Sequence, residues 1–216
     1  ETDTSLSSGS CTLAAERMAA RLSAAGYAKS DVQVVVPPDF PRQGNLVARI
    51  NGSDAKLAPM LLLAHIDVVE AKRSDWKRDP FKLVEENGYF YARGAVDDKA
   101  MASSFVDAFV RYKKEGYRPK RTIKLALTCG EETDSVFNGV RYLLETMPDA
   151  LDAEFAVNEG GSGNLDENGK PISFGVQIGE KIYQDFTFTV TAPGGHSARP
   201  TDDNAIGRLA AAVTRI

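Results

Sequence analysis

The chain has 216 residues, enough for one full domain and part of a second, with 43% hydrophobic and 26% charged residues, the balance of an ordinary globular protein. Its formal net charge of −4 gives no electrostatic reason to expect nucleic acid or an anionic membrane as partner, and no run approaches the roughly 20 apolar residues of a membrane span. That balance fits an enzyme of small molecules or peptides.

The start, Glu1 to Cys11, is polar and lacks the basic and apolar regions of a signal peptide, and the chain does not begin with Met, so the compartment stays open. The two cysteines, Cys11 and Cys129, do not make a disulfide framework. Cys129 closes an apolar run and reads as a small buried thiol.

In chain order, Leu13 to Leu22 has helical apolar spacing and stops at Gly26. Asp31 to Val36 reads as a short strand, and Leu46 to Ile50 as another with Asn51-Gly52 as its turn. Met60 to Ala64 is continuously apolar, the pattern of a central strand buried on both faces. Tyr89 to Arg93 alternates like a short strand. Asp98 to Lys114 is amphipathic and helical, stopped by Gly116. Thr122 to Cys129 repeats the buried-strand pattern, a helix runs from about Ser135 to Met147, and Ala153 to Val157 is a third core strand.

This alternation predicts an α/β fold, a mixed, mostly parallel sheet with helices on both faces. After Gly179 the pattern changes: Ile182 to Thr191 alternates strictly, as a strand with one exposed face does, and a helix follows from about Asp203. The expected division is a first domain over residues 1–180 and the beginning of a second over 181–216. No internal repeat or low-complexity tract is evident, and no Gly-x-Gly-x-x-Gly follows a strand, which excludes the dinucleotide-binding reading.

The acidic and imidazole residues cluster where predicted strands end, the place where open α/β sheets hold ligands. His65-Ile66-Asp67 follows the apolar run of Met60 to Ala64, and spacing of two puts both side chains on one face. His65 could ligate a metal while Asp67 accepts its other ring N–H; a structural histidine at a strand end fits the same residues. In Asp97-Asp98-Lys99, Asp98 fits a helix N-cap, whereas Asp97 just outside the helix is free for a cation. Glu131 and Glu132 follow Cys129 and Gly130. At the mouth of a buried strand two like charges raise each other's proton affinity unless a cation sits between them, so one can ligate while the other serves as general base. Asn158-Glu159-Gly160-Gly161 is a further strand-end loop. One imidazole with several carboxylates suits Zn²⁺, with Co²⁺ or Mn²⁺ as substitutes, and so many acids in one crevice would call for about two divalent ions. The alternative is a set of unrelated loop carboxylates.

Leu63 to Val69, Tyr91 to Lys99 and Gly130-Glu131-Glu132 resemble the motifs of the co-catalytic zinc peptidases, the family of carboxypeptidase G, aminoacylase, acetylornithine deacetylase and succinyl-diaminopimelate desuccinylase. Trp76 before Asp79-Pro80-Phe81, and Gly194-Gly195-His196-Ser197-Ala198-Arg199-Pro200, are most similar to its carboxypeptidase S-like branch. The resemblance runs from about Met60 to the last residue.

It implies a zinc exopeptidase-like fold and two zinc ions per active site, hydrolysing a peptide or an N-acyl amino acid. Asp97 would bridge the ions, His65 and Glu159 would complete one, and Glu132 would bind the other. Residues 1–180 would be the catalytic metal-binding domain and 181–216 the beginning of a lid. Glu131 would be the general base, Asp67 would orient His65, and His196 would reach the active site of a partner subunit in a homodimer formed through that lid. The family's second metal also takes a histidine from downstream of the lid, but this chain has only His65 and His196. The chain is therefore expected to be a piece of a longer protein, and a catalytically silent fold-retaining binding or dimerisation module is the competing expectation.

Overall fold

The computed structural model describes all residues except 134, 135, 183, 197, 200 and 202. Two compact units emerge, Glu1–Gly160 and Gly161–Ile216. The change of pattern read near Glu180 lies within the second.

In the first unit, helix α1 (Cys11–Ala24) opens with Ser10, whose side chain accepts the Leu13 N–H. Strands β1 (Val32–Val35), β2 (Asn45–Ile50) and β3 (Met60–His65) follow. Next come a hairpin of β4 (Val84–Glu86) and β5 (Tyr89–Tyr91), helix α2 (Lys99–Glu115) and strand β6 (Ile123–Thr128). Helices α3 (Gly139–Thr146) and α4 (Pro148–Leu151) lead into β7 (Phe155–Val157). Helix α2 ends at Gly116, whose φ of 67° is the left-handed turn that glycine supplies without cost. Helix α3 starts at Gly139, capped by Asn138, later than the expected start; Ser135 lies outside the described residues.

The strands form one sheet in the order β1-β2-β6-β3-β7. β1 and β2 pair antiparallel, as do β2 and β6; β6 with β3 and β3 with β7 are parallel. The sheet is thus mixed, with the parallel half carrying the strand ends that matter below. Period two sorts the apolar side chains. Leu46, Ala48, Leu125 and Leu127 face α1 and α2, packing with Leu22 and Phe109, while Val47, Leu61 and Ala126 face α3 and α4, packing with Leu143 and Leu151. Each fully buried leucine contributes about 1.5–3 kcal/mol, so both layers hold the sheet firmly.

Three expectations need correction. β7 is not a core strand: it lies at the sheet edge, and Phe155 and Val157 are 46% and 41% exposed. Cys129 is not a free thiol: it forms a disulfide with Cys11, tying the start of α1 to the residue that follows β6. Finally, no strand forms among the described residues of Ile182 to Thr191, because an alternating sequence becomes a strand only by pairing. The second unit instead holds a hairpin of β8 (Gly163–Leu165) and β9 (Pro171–Phe174) and helix α5 (Ala205–Val213), capped by Asn204. Among the described residues no helix is long and apolar enough to cross a membrane.

Candidate metal centre

His65 is the last residue of β3 and only 3% exposed. Its backbone N–H donates to Asp98 Oδ2 at 3.2 Å, so Asp98 spends its carboxylate on the strand end; it stands at the N-cap position of α2 without capping it. The imidazole Nδ1 lies 3.1 Å from the Asp67 carbonyl oxygen and 3.6 Å from its Oδ1. Nε2 lies 2.8 Å from Asp97 Oδ1 and 3.6 Å from Glu159 Oε1. A carbonyl can only accept, so Nδ1 carries a proton, and in the neutral ring the Nε2 lone pair would then face two carboxylate oxygens. Such a pocket needs a positive charge in it, either a proton or a cation. Burial works against charging the ring, yet hydrogen bonds and attraction from Asp67 and Asp97, with Glu159 adding to them, hold its pKa up at about 10.

Asp67, 2% exposed, spends its carboxylate on the other loop, accepting the N–H of Glu131 at 3.3 Å and of Glu132 at 3.0 Å. One buried anion therefore fixes both the segment after β3 and the segment after β6. The donor atoms of His65, Glu131 and Glu132 lie within 4.8 Å of one another, as do those of His65, Asp97 and Glu159. Burial above all pushes Glu131 and Glu132 above the usual carboxylate range; His65 pulls the other way, and the negative charges of their neighbours add to the rise. A cavity of about 60 Å³ opens among Leu63, His65, Glu131, Asn138 and Glu159.

The structure thus brings His65, Asp67, Asp97, Glu131, Glu132 and Glu159 together. His196 belongs to the second unit, where it is exposed and its Nδ1 accepts the Ala198 N–H at 3.1 Å; Ser197 and Pro200 of its motif lie outside the described residues. Nothing in the residue pattern pointed to the bracing of this centre. Lys99 Nζ donates to Thr2 O at 2.7 Å, and burial draws its pKa down to about 8 against the pull of Asp3 and Asp67. Thr4 O accepts the Val68 N–H, and the N–H and hydroxyl of Ser7 donate to the two oxygens of Glu70. Thr4 and Ser7 are therefore tied to the loop that carries Asp67, and Thr2 to the start of α2.

An α/β sheet that gathers one imidazole and a ring of carboxylates at the ends of its parallel strands defines a class of protein built to hold divalent cations, since these donors suit zinc or manganese. The chain belongs to peptidase family M20/M25/M40, whose model matches residues 61–216. It is 34% identical over 170 residues to N-fatty-acyl-amino acid synthase/hydrolase PM20D1 of Mus musculus, covering 77% of this chain and 34% of that protein. To the probable carboxypeptidase S-like 2 of Dictyostelium discoideum it is 33% identical over 180 residues, 80% of this chain and 34% of the relative. Human carnosine dipeptidase 1 shares the fold with a TM-score of 0.55 at 26% identity, over 69% of this chain and 32% of that one. The chain spans about a third of the length of the curated relatives it matches.

Proposed function

We propose that the protein hydrolyses an amide bond next to an amino acid, in a peptide or an N-acyl amino acid, using a pair of divalent cations, zinc above all. The observation that carries this reading is the Nε2 atom of His65 aimed at Asp97 and Glu159, with Glu131 and Glu132 on a second loop within reach of the same ring. In it, His65, Asp97 and Glu159 would hold one cation, and Asp97 and Glu132 would hold the other. When bound, the cations supply Lewis acidity that makes water a nucleophile near neutral pH.

The residues of this chain do the rest. Glu131 takes a proton from the attacking water, the water oxygen bonds to the amide carbon, and Glu131 delivers the proton to the nitrogen as the C–N bond breaks. The raised proton affinity of Glu131 suits a group that must both accept and return a proton. Asp67 keeps Glu131 in place through its backbone N–H. In a homodimer formed through a lid over residues 181–216, His196 serves the partner subunit's active site, donating to the oxygen on which charge develops.

Replacing Glu131 with Gln in the intact protein tests the assignment. Turnover of N-acyl amino acids and dipeptides should fall by about 10²–10⁴, with cation content by mass spectrometry unchanged. Retention of most activity would refute the base assignment. Absence of both cation and turnover in the unaltered protein would favour a silent binding or dimerisation module.

A further inference from the structure

Asn45, the first residue of β2, has no exposed surface. A buried amide is costly unless its hydrogen bonds are made, so its partners show what it is for. Its Oδ1 accepts the Cys129 N–H at 2.9 Å, and its Nδ2 makes a long contact of 3.4 Å to the Gln43 carbonyl. The ladder between β2 and β6 reaches Leu46 opposite Leu127. The Asn45 side chain adds a further tie beyond the end of β6.

That tie fixes the point at which the loop of Glu131 and Glu132 leaves the sheet. The carbonyl of Cys129 accepts the Gly139 N–H at 2.7 Å, and its sulfur is bound to Cys11. Gly139 admits this arrangement because it lacks a Cβ, which would stand 2.2 Å from Asn45 Oδ1 and 2.6 Å from the Cys129 carbonyl oxygen. Gly130 then turns the chain at a φ of +90°, and the next two N–H groups are caught by Asp67. The loop is held by a side-chain acceptor at each end, Asn45 before the turn and Asp67 after it.

We infer that Asn45 is a positioning residue for Glu131 and Glu132, holding the strand end so that both carboxylates face His65. This inference rests on the reading of Glu131 as base and Glu132 as ligand, but its test separates the two. Hydrogen exchange of the cation-free chain, and zinc affinity by chelator competition, are compared for wild type, Asn45→Leu, Asn45→Asp and Leu125→Ala. Loss of the Oδ1 acceptor in Asn45→Leu should speed exchange at the Cys129, Glu131 and Glu132 amides roughly ten-fold and weaken zinc by a similar factor. Asn45→Asp keeps an acceptor and should restore slow exchange. Leu125→Ala, a core deletion away from the loop, should lower Tm and leave the exchange of these amides and the zinc affinity unchanged. In the intact protein Asn45→Leu should lower kcat with little change in KM. Wild-type protection of the Glu131 and Glu132 amides in folded Asn45→Leu overturns the inference. Should that variant not fold, Gly139→Ala perturbs the same tie from the other side and must speed exchange at these amides, or the inference fails. If Asn45→Leu frees the loop while Glu131→Gln retains turnover, the anchoring stands and the base assignment falls.

Discussion

Cutting the Cys11–Cys129 bridge should cost this fold a large part of its stability. The cysteines are 118 residues apart, so the bond closes a loop spanning most of the first unit. In the chain-entropy model such a loop restricts the unfolded state by about 4.9 kcal/mol, where a domain's whole stability is about 5–15 kcal/mol. Both residues are buried, at 2% and 1% exposed, so the Cys11→Ala/Cys129→Ala double variant also loses packing between α1 and the end of β6. Urea unfolding followed by circular dichroism, on oxidised wild type and the double variant without reductant, measures the difference. A midpoint shift equivalent to about 3–5 kcal/mol is expected, within the range seen when native disulfides are removed. Two free thiols per chain in unfolded, unreduced protein, or a difference below about 1 kcal/mol, would refute the reasoning.

Gly130→Ala should destabilise by at least about 1–2 kcal/mol, because an L side chain resists a φ of +90° and the added Cβ would lie 2.1 Å from the Phe137 carbonyl oxygen; thermal melts read the loss. Tyr27 donates its hydroxyl to the Phe109 carbonyl at 2.8 Å, and burial, aided by the charge of Asp31, pushes its pKa up to about 12. Its folded pKa is raised, so its contribution is complete below pH about 10, the unfolded value, and is lost as pH climbs through about 12. Chemical denaturation across that window should show the decline in wild type and a shallower one in Tyr27→Phe, and equal slopes would count against it. Leu127→Ala, at a fully buried position of β6 facing α1 and α2, should cost roughly 2–5 kcal/mol in the same denaturation assay.

The central strands were legible because Met60 to Ala64 of β3 is an unbroken apolar run and β6 carries Ile123, Leu125, Ala126 and Leu127 with only Lys124 among them, and the glycine after α2 marked its end. The histidine and acids after β3 and β6 were legible as motifs for the same reason, since each stands directly where such a strand ends. What stayed hidden is non-local. Cys11 pairs with Cys129 only because a helix start and a strand end happen to be packed together, which spacing along the chain does not reveal. Asn45 reads as one polar residue before a strand, and its task depends on what β6 presents to it. Asp98 fits a helix cap by position, yet its carboxylate turns to His65. β4 is short and acidic, so no alternation announces it, and the exposure of β7 depends on which neighbour the sheet gives it.

The amino-terminal stretch has a practical consequence. Thr2, Thr4 and Ser7 are tethered to Lys99, Val68 and Glu70, directly behind the loop of Asp67. A protease nick between Thr2 and Ser7 would release those tethers. Cation-affinity data are best gathered on protein in which the stretch from Thr2 to Ser7 has been shown intact by mass spectrometry.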